Sequence, residues 1–427
     1  MFKLPGLSKL ERSWVLYDIA NSAYILTIVT VLFPLYYDLV GESLDKDYRD
    51  SLFMLVTAGI ALTTALLSPL IGSLSNYRGN KKKFFLIFFV MAIIGTFALI
   101  IPGLSIITLL VFFFISSVGY GMTNVVYDAF LVDVTTEDRM DYVSSSGYAW
   151  GYIGSMIPFF IAIIPYGLVT FEILDGSYEY LSIVFAFIVA MVWWFIFSLP
   201  MLRDVQQTYN IEHENNVVKK SFGRLLVTFK DIRSYRNIFL FMLAYLLFID
   251  VVNTVIRLAV TIGTSLEVGV SVLLGVVMIV QIIAFPSAIL YGKLTKKYGG
   301  KFMIYMGILV YAITIIVTFF INKNTTYLMF VVGILVGSAQ GGIQSISRSF
   351  FAKMLPLEKA NEFFGFFSVF GRFAGIISPF LLAILINVTS TNQAVLVLLV
   401  PLLLGAFILM FVKQEKAEAP HIDSLED

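Results

Sequence analysis

Ten residues of this chain are written twice. Gly72-Ser73-Leu74-Ser75-Asn76-Tyr77-Arg78-Gly79-Asn80-Lys81 returns as Gly292-Lys293-Leu294-Thr295-Lys296-Lys297-Tyr298-Gly299-Gly300-Lys301, in the shared frame G-x-L-x-x-x-x-G-x-K. Each copy closes a long apolar run. A period this long marks a duplicated domain rather than a stack of short repeats. With the same offset Gly121 matches Gly341, Asp128 matches Arg348, Phe130 matches Phe350, Asp138-Arg139 matches Glu358-Lys359, and Gly151 matches Gly371. Pro158 and Pro379 match with one extra residue, and Asp18-x-x-Asn21 is echoed by Asp250-x-x-Asn253. The chain is therefore expected to fold as two similar halves.

Composition names the medium. Charged residues make up 13% of the 427 and hydrophobic ones 59%, whereas a soluble domain carries about 25% charged residues. A helix needs about 20 apolar residues to cross a bilayer. Twelve such runs fit: 14–40, 51–75, 84–101, 104–134, 142–168, 180–201, 237–262, 267–292, 302–321, 326–354, 360–388 and 393–412. Runs three and four are parted only by Pro102-Gly103, a tight turn. The predicted fold class is an all-α membrane protein, twelve transmembrane helices in two pseudo-symmetric six-helix bundles. Residues 1–201 form the N-terminal bundle and 237–412 the C-terminal bundle. Residues 202–236 are a cytoplasmic linker and 413–427 a polar cytoplasmic tail. In the linker, Leu225, Leu226 and Phe229 among Lys219, Arg224, Lys230 and Arg233 fit an amphipathic piece on the membrane surface; a solvated linker fits equally well.

Lys and Arg cluster before the first run, in Arg78–Lys83, in 203–236, in Lys293–Lys301, and at Lys413 and Lys416. The alternate loops carry only Lys46, Arg49 and Lys323. Such a bias places the basic loops in the cytoplasm, with both termini beside them. The first run follows Lys3, Lys9 and Arg12 but is too long for a signal peptide, and is read as a retained helix. Both halves then start and end on one side, so the repeats are parallel.

Several function classes drop out. A net charge of +1 gives no reason to expect a nucleic-acid partner. With no cysteine there is no disulfide, thiolate metal site or cysteine nucleophile. His213 and His421, the two histidines, fall outside the runs, which argues against a histidine catalyst or metal site. The motifs G-x-x-x-x-G-K-[ST], H-E-x-x-H and G-x-S-x-G are all absent, so neither direct ATP use nor an enzyme is indicated. No cofactor is expected.

Ionisable side chains inside lipid cost several kcal/mol unless paired or facing water. Seven lie within or near the runs: Asp18, Asp128, Asp133, Asp250, Arg257, Arg348 and Arg372. At 1.5 Å per residue, Asp250 and Arg372 fall near mid-membrane and Arg257 farther toward the outer face. These are the candidates for substrate or proton handling. Asp18, Asp128, Asp133 and Arg348 fall in the cytoplasmic half and are candidate gate residues, together with Asn76, Lys81, Lys296 and Lys301 in the doubled loop. Static ion pairs that only fix packing are the alternative.

Polar residues recur at helical spacing. Asp250, Asn253 and Arg257 share a face, as do Gln340, Gln344 and Arg348, and Asn124 and Asp128 with Tyr127 beside them. Asp18, Asn21 and Tyr24 form a looser stripe, and Trp150, Tyr148 and Tyr152 are aromatic candidates for the same cavity. Such stripes fit a hydrated path between helices; polar contacts between helices give the same pattern. A row of amides and an arginine suits carboxylate or amino groups. Gly147, Gly151 and Gly154 before Pro158, and Gly371 and Gly375 before Pro379, mark places where helices pack closely or bend.

The doubled loop resembles the signature of the major facilitator superfamily, G-x-L-a-D-r-x-G-r-[RK]. Its usual aspartate is Asn76 in one copy and Lys296 in the other, so Asp128 or Asp133 is expected to share that latch role. Within the superfamily, several stretches resemble the vacuole-effluxer-like branch, whose fungal members export amino acids. They are Ser13-Trp14-Val15-Leu16-Tyr17-Asp18-Ile19-Ala20-Asn21-Ser22-Ala23-Tyr24, Tyr127-Asp128-Ala129-Phe130-Leu131-Val132-Asp133, Ala244-Tyr245-Leu246-Leu247-Phe248-Ile249-Asp250, and Gly341-Gly342-Ile343-Gln344-Ser345-Ile346-Ser347-Arg348-Ser349. Glu362-Phe363-Phe364-Gly365 matches too. The resemblance implies a secondary active transporter exporting a small polar or zwitterionic solute, amino acids first, by alternating access, with the proton as candidate coupling ion. Short loops suggest a bacterial plasma-membrane member, working as a monomer within the lipid bilayer. The alternatives are an exporter of amphipathic drugs or lipids, and a sensor or scaffold that does not transport.

Overall fold

The structure is a computed structural model. It describes residues 4–212, 221, 235–265, 270–322, 324–375, 377–386, 389 and 391–415, with side chains at 256–274, 383, 386, 391 and 392 left aside. The amphipathic piece expected around residues 224–230, the two histidines and the side chain of Arg257 lie outside the described residues.

Twelve helices among the described residues are long and apolar enough to cross a membrane, one for each expected run. They are α1 (Lys9–Val40), α2 (Lys46–Ser75), α3 (Asn80–Leu99), α4 (Ile106–Ala129), α5 (Met140–Thr170), α6 (Gly176–Asp204), α7 (Arg236–Ser265), α8 (Val270–Tyr298), α9 (Gly300–Phe319), α10 (Leu328–Met354), α11 and α12 (Gln393–Met410). α11 comes in two pieces, α11a (Ala360–Phe373) and α11b (Ile377–Ile386). One end of the bundle carries both copies of the doubled loop and is called the basic end; the other is the far end.

Local chemistry explains the boundaries. α1 starts at a capping box in which Ser8 and Glu11 satisfy each other's backbone N–H groups. Its middle, Tyr24–Leu32, is wound as a π-helix, and the Thr30 hydroxyl follows that wider turn by donating to the Ile25 carbonyl at 2.8 Å. Two expected runs are shorter than their hydropathy. The fourth stops at Ala129 and resumes as one turn, Leu131–Val134. The eleventh breaks after Phe373, where Ala374 is extended and Gly375 takes φ +104°, a conformation that excludes most side chains.

The doubled frame now has a physical reading. Its second glycine, Gly79 or Gly299, sits at φ +76° or +83°. Its leucine, Leu74 or Leu294, packs against the core. Its first glycine touches the opposite half of the molecule. A side chain at Gly72 would run into the Asn361 backbone of α11a, and one at Gly292 into Ser145 and the Asp141 carbonyl of α5. The pairs α2–α11a and α5–α8 are thus equivalent seams that close the basic end. Asn361 reinforces one of them, its backbone N–H donating to Asn76 Oδ1 at 3.2 Å and its amide to the Ser75 carbonyl at 3.2 Å. Beside the α5–α8 seam, α10 also reaches α5: Ser144 donates to the Ser345 carbonyl at 2.7 Å, and Lys353 pairs with Asp141 at 2.5 Å.

Candidate substrate cavity

Above those seams lies a cavity of about 790 Å³ between the halves, within the range of small-molecule sites. Its floor is Asp18, Asp128 and Arg348, and its lining reaches Thr30 of α1 and Met329 of α10. Met329 and Arg348 are nineteen residues apart on one helix, about 29 Å at helical rise. The cavity therefore runs from the sealed basic end to the far end.

The floor is built around the Arg348 guanidinium. It donates to Asp128 Oδ1 at 2.9 Å, to Asp18 Oδ2 at 3.2 Å, and to the Ser144 hydroxyl and carbonyl at 3.0 and 3.1 Å. The ring of Trp14 lies 4.6 Å from its centre and the ring of Tyr148 another 4.6 Å, so π faces complete its shell. Gly147 lets Asp18 and Arg348 come this close, since any side chain there would strike the Asp18 carboxylate. Trp14 is fixed by stacking on Tyr127 at 4.6 Å and by donating its indole N–H to the Tyr127 carbonyl at 3.0 Å. Exposure ranks the three charges: the side chain of Arg348 is 3% exposed, Asp18 11% and Asp128 29%. Asp128 is the most open of the three to the cavity.

The walls divide by polarity. Asn21, Ser22, Tyr120, Asn124, Tyr127, Tyr148, Tyr152, Ser155, Gln281, Gln340 and Gln344 join the charged floor in a polar lining, while Val276, Val277, Val280, Val332 and Val336 form an apolar flank. Asn124 Oδ1 and Gln340 Oε1 are buried without a hydrogen-bond partner. Unmet acceptors facing a cavity are suited to a ligand's N–H donors.

The sequence had divided its candidates by depth into a substrate group and a gate group; the structure draws that line elsewhere. Asn21, Asn124, Tyr127, Gln340 and Gln344 of the polar stripes share one surface with the gate candidates Asp18, Asp128 and Arg348. Asp250 does not line the cavity. It is fully buried in α7, and its carboxylate accepts the backbone N–H of Gly375 and, at 2.7 Å, that of Ser378. These donors start α11b, so Asp250 satisfies groups that the break in α11 would otherwise orphan. Tyr24 is buried, its hydroxyl 2.7 Å from Ser116 Oγ. Trp150 meets Phe285 edge-on at 5.1 Å, and Asn253 is half-buried on α7 away from the lining. Arg372 and Thr64 both approach Gly121, with Arg372 near Tyr120, and Arg372 is not among the residues that line the cavity.

The loop candidates also separate. Lys81 is buried and donates to Asp133 at 2.5 Å and to the Ala129 carbonyl at 3.1 Å. Asp133 further accepts the N–H groups of Thr208 and Tyr209 at 2.7 and 3.1 Å, so this pair ties α3, the end of α4 and the segment after α6 within one half. Asn76 alone of the loop residues proposed as gates bonds across the halves. Lys301 donates to the Met410 and Val412 carbonyls at 2.8 and 2.9 Å, and Lys296 is exposed. Sequence reasoning missed the Asp141–Lys353 bridge, Asn361, Gln281 and Tyr120. The repeat offset held a signal for Tyr120, which stands where the second half has Gln340, and the other three lacked one.

A family model described as "Vacuole effluxer Atg22 like" matches residues 132–420. The Bacillus subtilis (strain 168) protein "Uncharacterized MFS-type transporter YxiO" is 42% identical over 417 residues, 96% of each chain. Autophagy-related protein 22 of Yarrowia lipolytica is 27% identical over 322 residues, 67% of this chain and 53% of that one. Among solved structures, the proton:xylose symporter XylE superposes with a TM-score of 0.71 at 13% identity, covering 96% of each chain, a likeness that shows the fold. The chain belongs to the vacuole effluxer Atg22-like family of major facilitator secondary transporters.

Proposed function

We propose that this transporter exports a small polar or zwitterionic solute of the amino-acid class from the cytoplasm, by alternating access across a cell membrane. The observation that carries the reading is the charge at the cavity floor. Two carboxylates share one guanidinium there, and Asp128, the more exposed acid, faces the cavity. The surplus negative charge favours an ammonium group or a proton. Arg348 lies on α10 while Asp18 and Asp128 lie on α1 and α4, so a cation at Asp128 competes for a bond that joins the halves. Binding would then loosen the seal at the basic end, which the positive-inside bias places in the cytoplasm. On this reading the state described would be closed to the cytoplasm, with the cavity extending toward the other side. Asp18 and Asp128 are the groups placed to exchange a proton for a cationic substrate. The valine flank supports a second reading, an amphipathic drug or lipid as cargo.

The test is transport of a labelled amino-acid panel in proteoliposomes, with and without a pH gradient, for the wild type and Asp128→Asn. Gradient-driven transport that the variant lacks is expected. Folded protein that moves no amino acid but moves an amphipathic cation would shift the conclusion to the second reading.

A further inference from the structure

The two copies of the doubled loop end their helices by different means. α8 runs to Tyr298 and Gly299 closes it, its N–H returning to the Thr295 carbonyl at 2.8 Å with φ +83°. α2 stops at Ser75, four residues before the matching Gly79, and Asn76 after it keeps helical angles. No left-handed residue directly caps α2, so the carbonyls of its last turn need donors from elsewhere.

The Asn80 amide donates to the Leu74 carbonyl at 3.0 Å. The next two carbonyls are met by residues 205–212, the segment that follows α6. The Gln207 amide donates to the Ser75 carbonyl at 3.1 Å and to that of Asn76 at 3.2 Å, and the Ile211 N–H donates to the Asn76 carbonyl at 2.9 Å. The segment is itself pinned. The Arg78 N–H donates to the Ile211 carbonyl at 3.0 Å, and Asp133 holds the N–H groups of Thr208 and Tyr209. All these bonds lie within the first half.

Ser75 and Asn76 are also the two residues that Asn361 of the other half bonds to, through the Ser75 carbonyl and Asn76 Oδ1, each at 3.2 Å. A carbonyl offers two lone pairs. At Ser75 one is taken by Gln207 within the half and the other by Asn361 across the seam. Such bonds need donor and acceptor aligned, and a helix end free to turn toward water would meet Asn361 less often.

We infer that Gln207 is a positioning residue for the seal between α2 and α11a: by fixing the Ser75 and Asn76 carbonyls it holds Asn76 where Asn361 can bond to it. The assignment concerns the seal alone and is independent of which solute is carried.

The chain has no cysteine, so Val277→Cys in the apolar flank of the cavity gives a single reporter. In membrane vesicles a membrane-impermeant maleimide is applied from either face, and the ratio of labelling from the basic end to labelling from the far end is read. That ratio is expected to rise about fivefold in Gln207→Ala, the worth of one neutral hydrogen bond. Gln207→Glu, which keeps the length but loses the amide donors, should raise it as well. Asn361→Ala should give a similar rise, and Gln207→Ala combined with Asn361→Ala no more than either alone. A residue that only supports folding lowers the amount of protein and leaves the ratio where it was. An unchanged ratio in both Gln207 variants, an unchanged ratio in Asn361→Ala, or effects that multiply in the double variant would each overturn the assignment.

Discussion

The two halves put opposite charges at the same place. Position 128 of the first repeat is aspartate, position 348 of the second is arginine, and the two bond directly at 2.9 Å across the pseudo-symmetric interface. Elsewhere the halves solve one problem by different means. Lys81 and Lys301 hold the same place in the doubled loop; the first makes a buried ion pair with Asp133, the second crowns the carbonyl end of α12. Asp18 and Asp250 hold the same place in the helices that begin each half. One shares Arg348 at the cavity floor, while the other is sealed away as the anchor of a broken helix. Duplication supplied the frame, and divergence placed the two aspartates of the cavity floor in the first half, their arginine in the second, and Asp250 and Lys301 at helix ends.

Removing Arg348 should break this arrangement most severely. Arg348→Ala leaves two carboxylates facing each other and cuts the only cation from the floor. Transport should fall more than about 100-fold, since losing one partner of a buried pair costs about 3–5 kcal/mol; initial-rate flux in proteoliposomes reads this. The two lysines sharpen the contrast. Lys81→Met strands Asp133 and should cost about 3 kcal/mol, seen as a lowered thermal unfolding midpoint in detergent.

Asp250→Asn comes next. An amide keeps one acceptor but turns a donor toward the other N–H, a loss of about 2 kcal/mol. Its signature is lower stability with an unchanged KM, whereas Asp18→Asn should act chiefly on transport. An altered KM in Asp250→Asn would move Asp250 back to the substrate path. Lys301→Met should be mildest, about 1 kcal/mol or less, because carbonyls at a helix end can turn to water. Equal losses in the two lysine variants would erase the difference between the loops.

Much of this was legible beforehand. Asp18, Asp128 and Arg348 stood out as charges inside apolar runs, and Asn124, Gln340 and Gln344 as stripes at helical spacing, because both signals are local. What misled was depth. Asp250 looked central because its run is long on both sides, and rise per residue measures height but not direction. It points toward α11, whose break at Gly375 creates the donors it satisfies. The Asp141–Lys353 bridge was hidden for a related reason, as its partners look like ordinary loop charges until the seams bring them together.

Hydropathy, basic-loop bias and an internal repeat determined by themselves that this chain forms two parallel six-helix halves in a membrane. Each of those properties is set by neighbours along the chain and needs no contact between halves. Only the tertiary structure decided which charges meet, because Asp18 and Arg348 lie 330 residues apart. Their pairing depends on how closely α5 approaches α1 at Gly147 and how the two seams orient α10. In a bilayer a charge must find a partner or water, and which it finds is a property of the assembled interface.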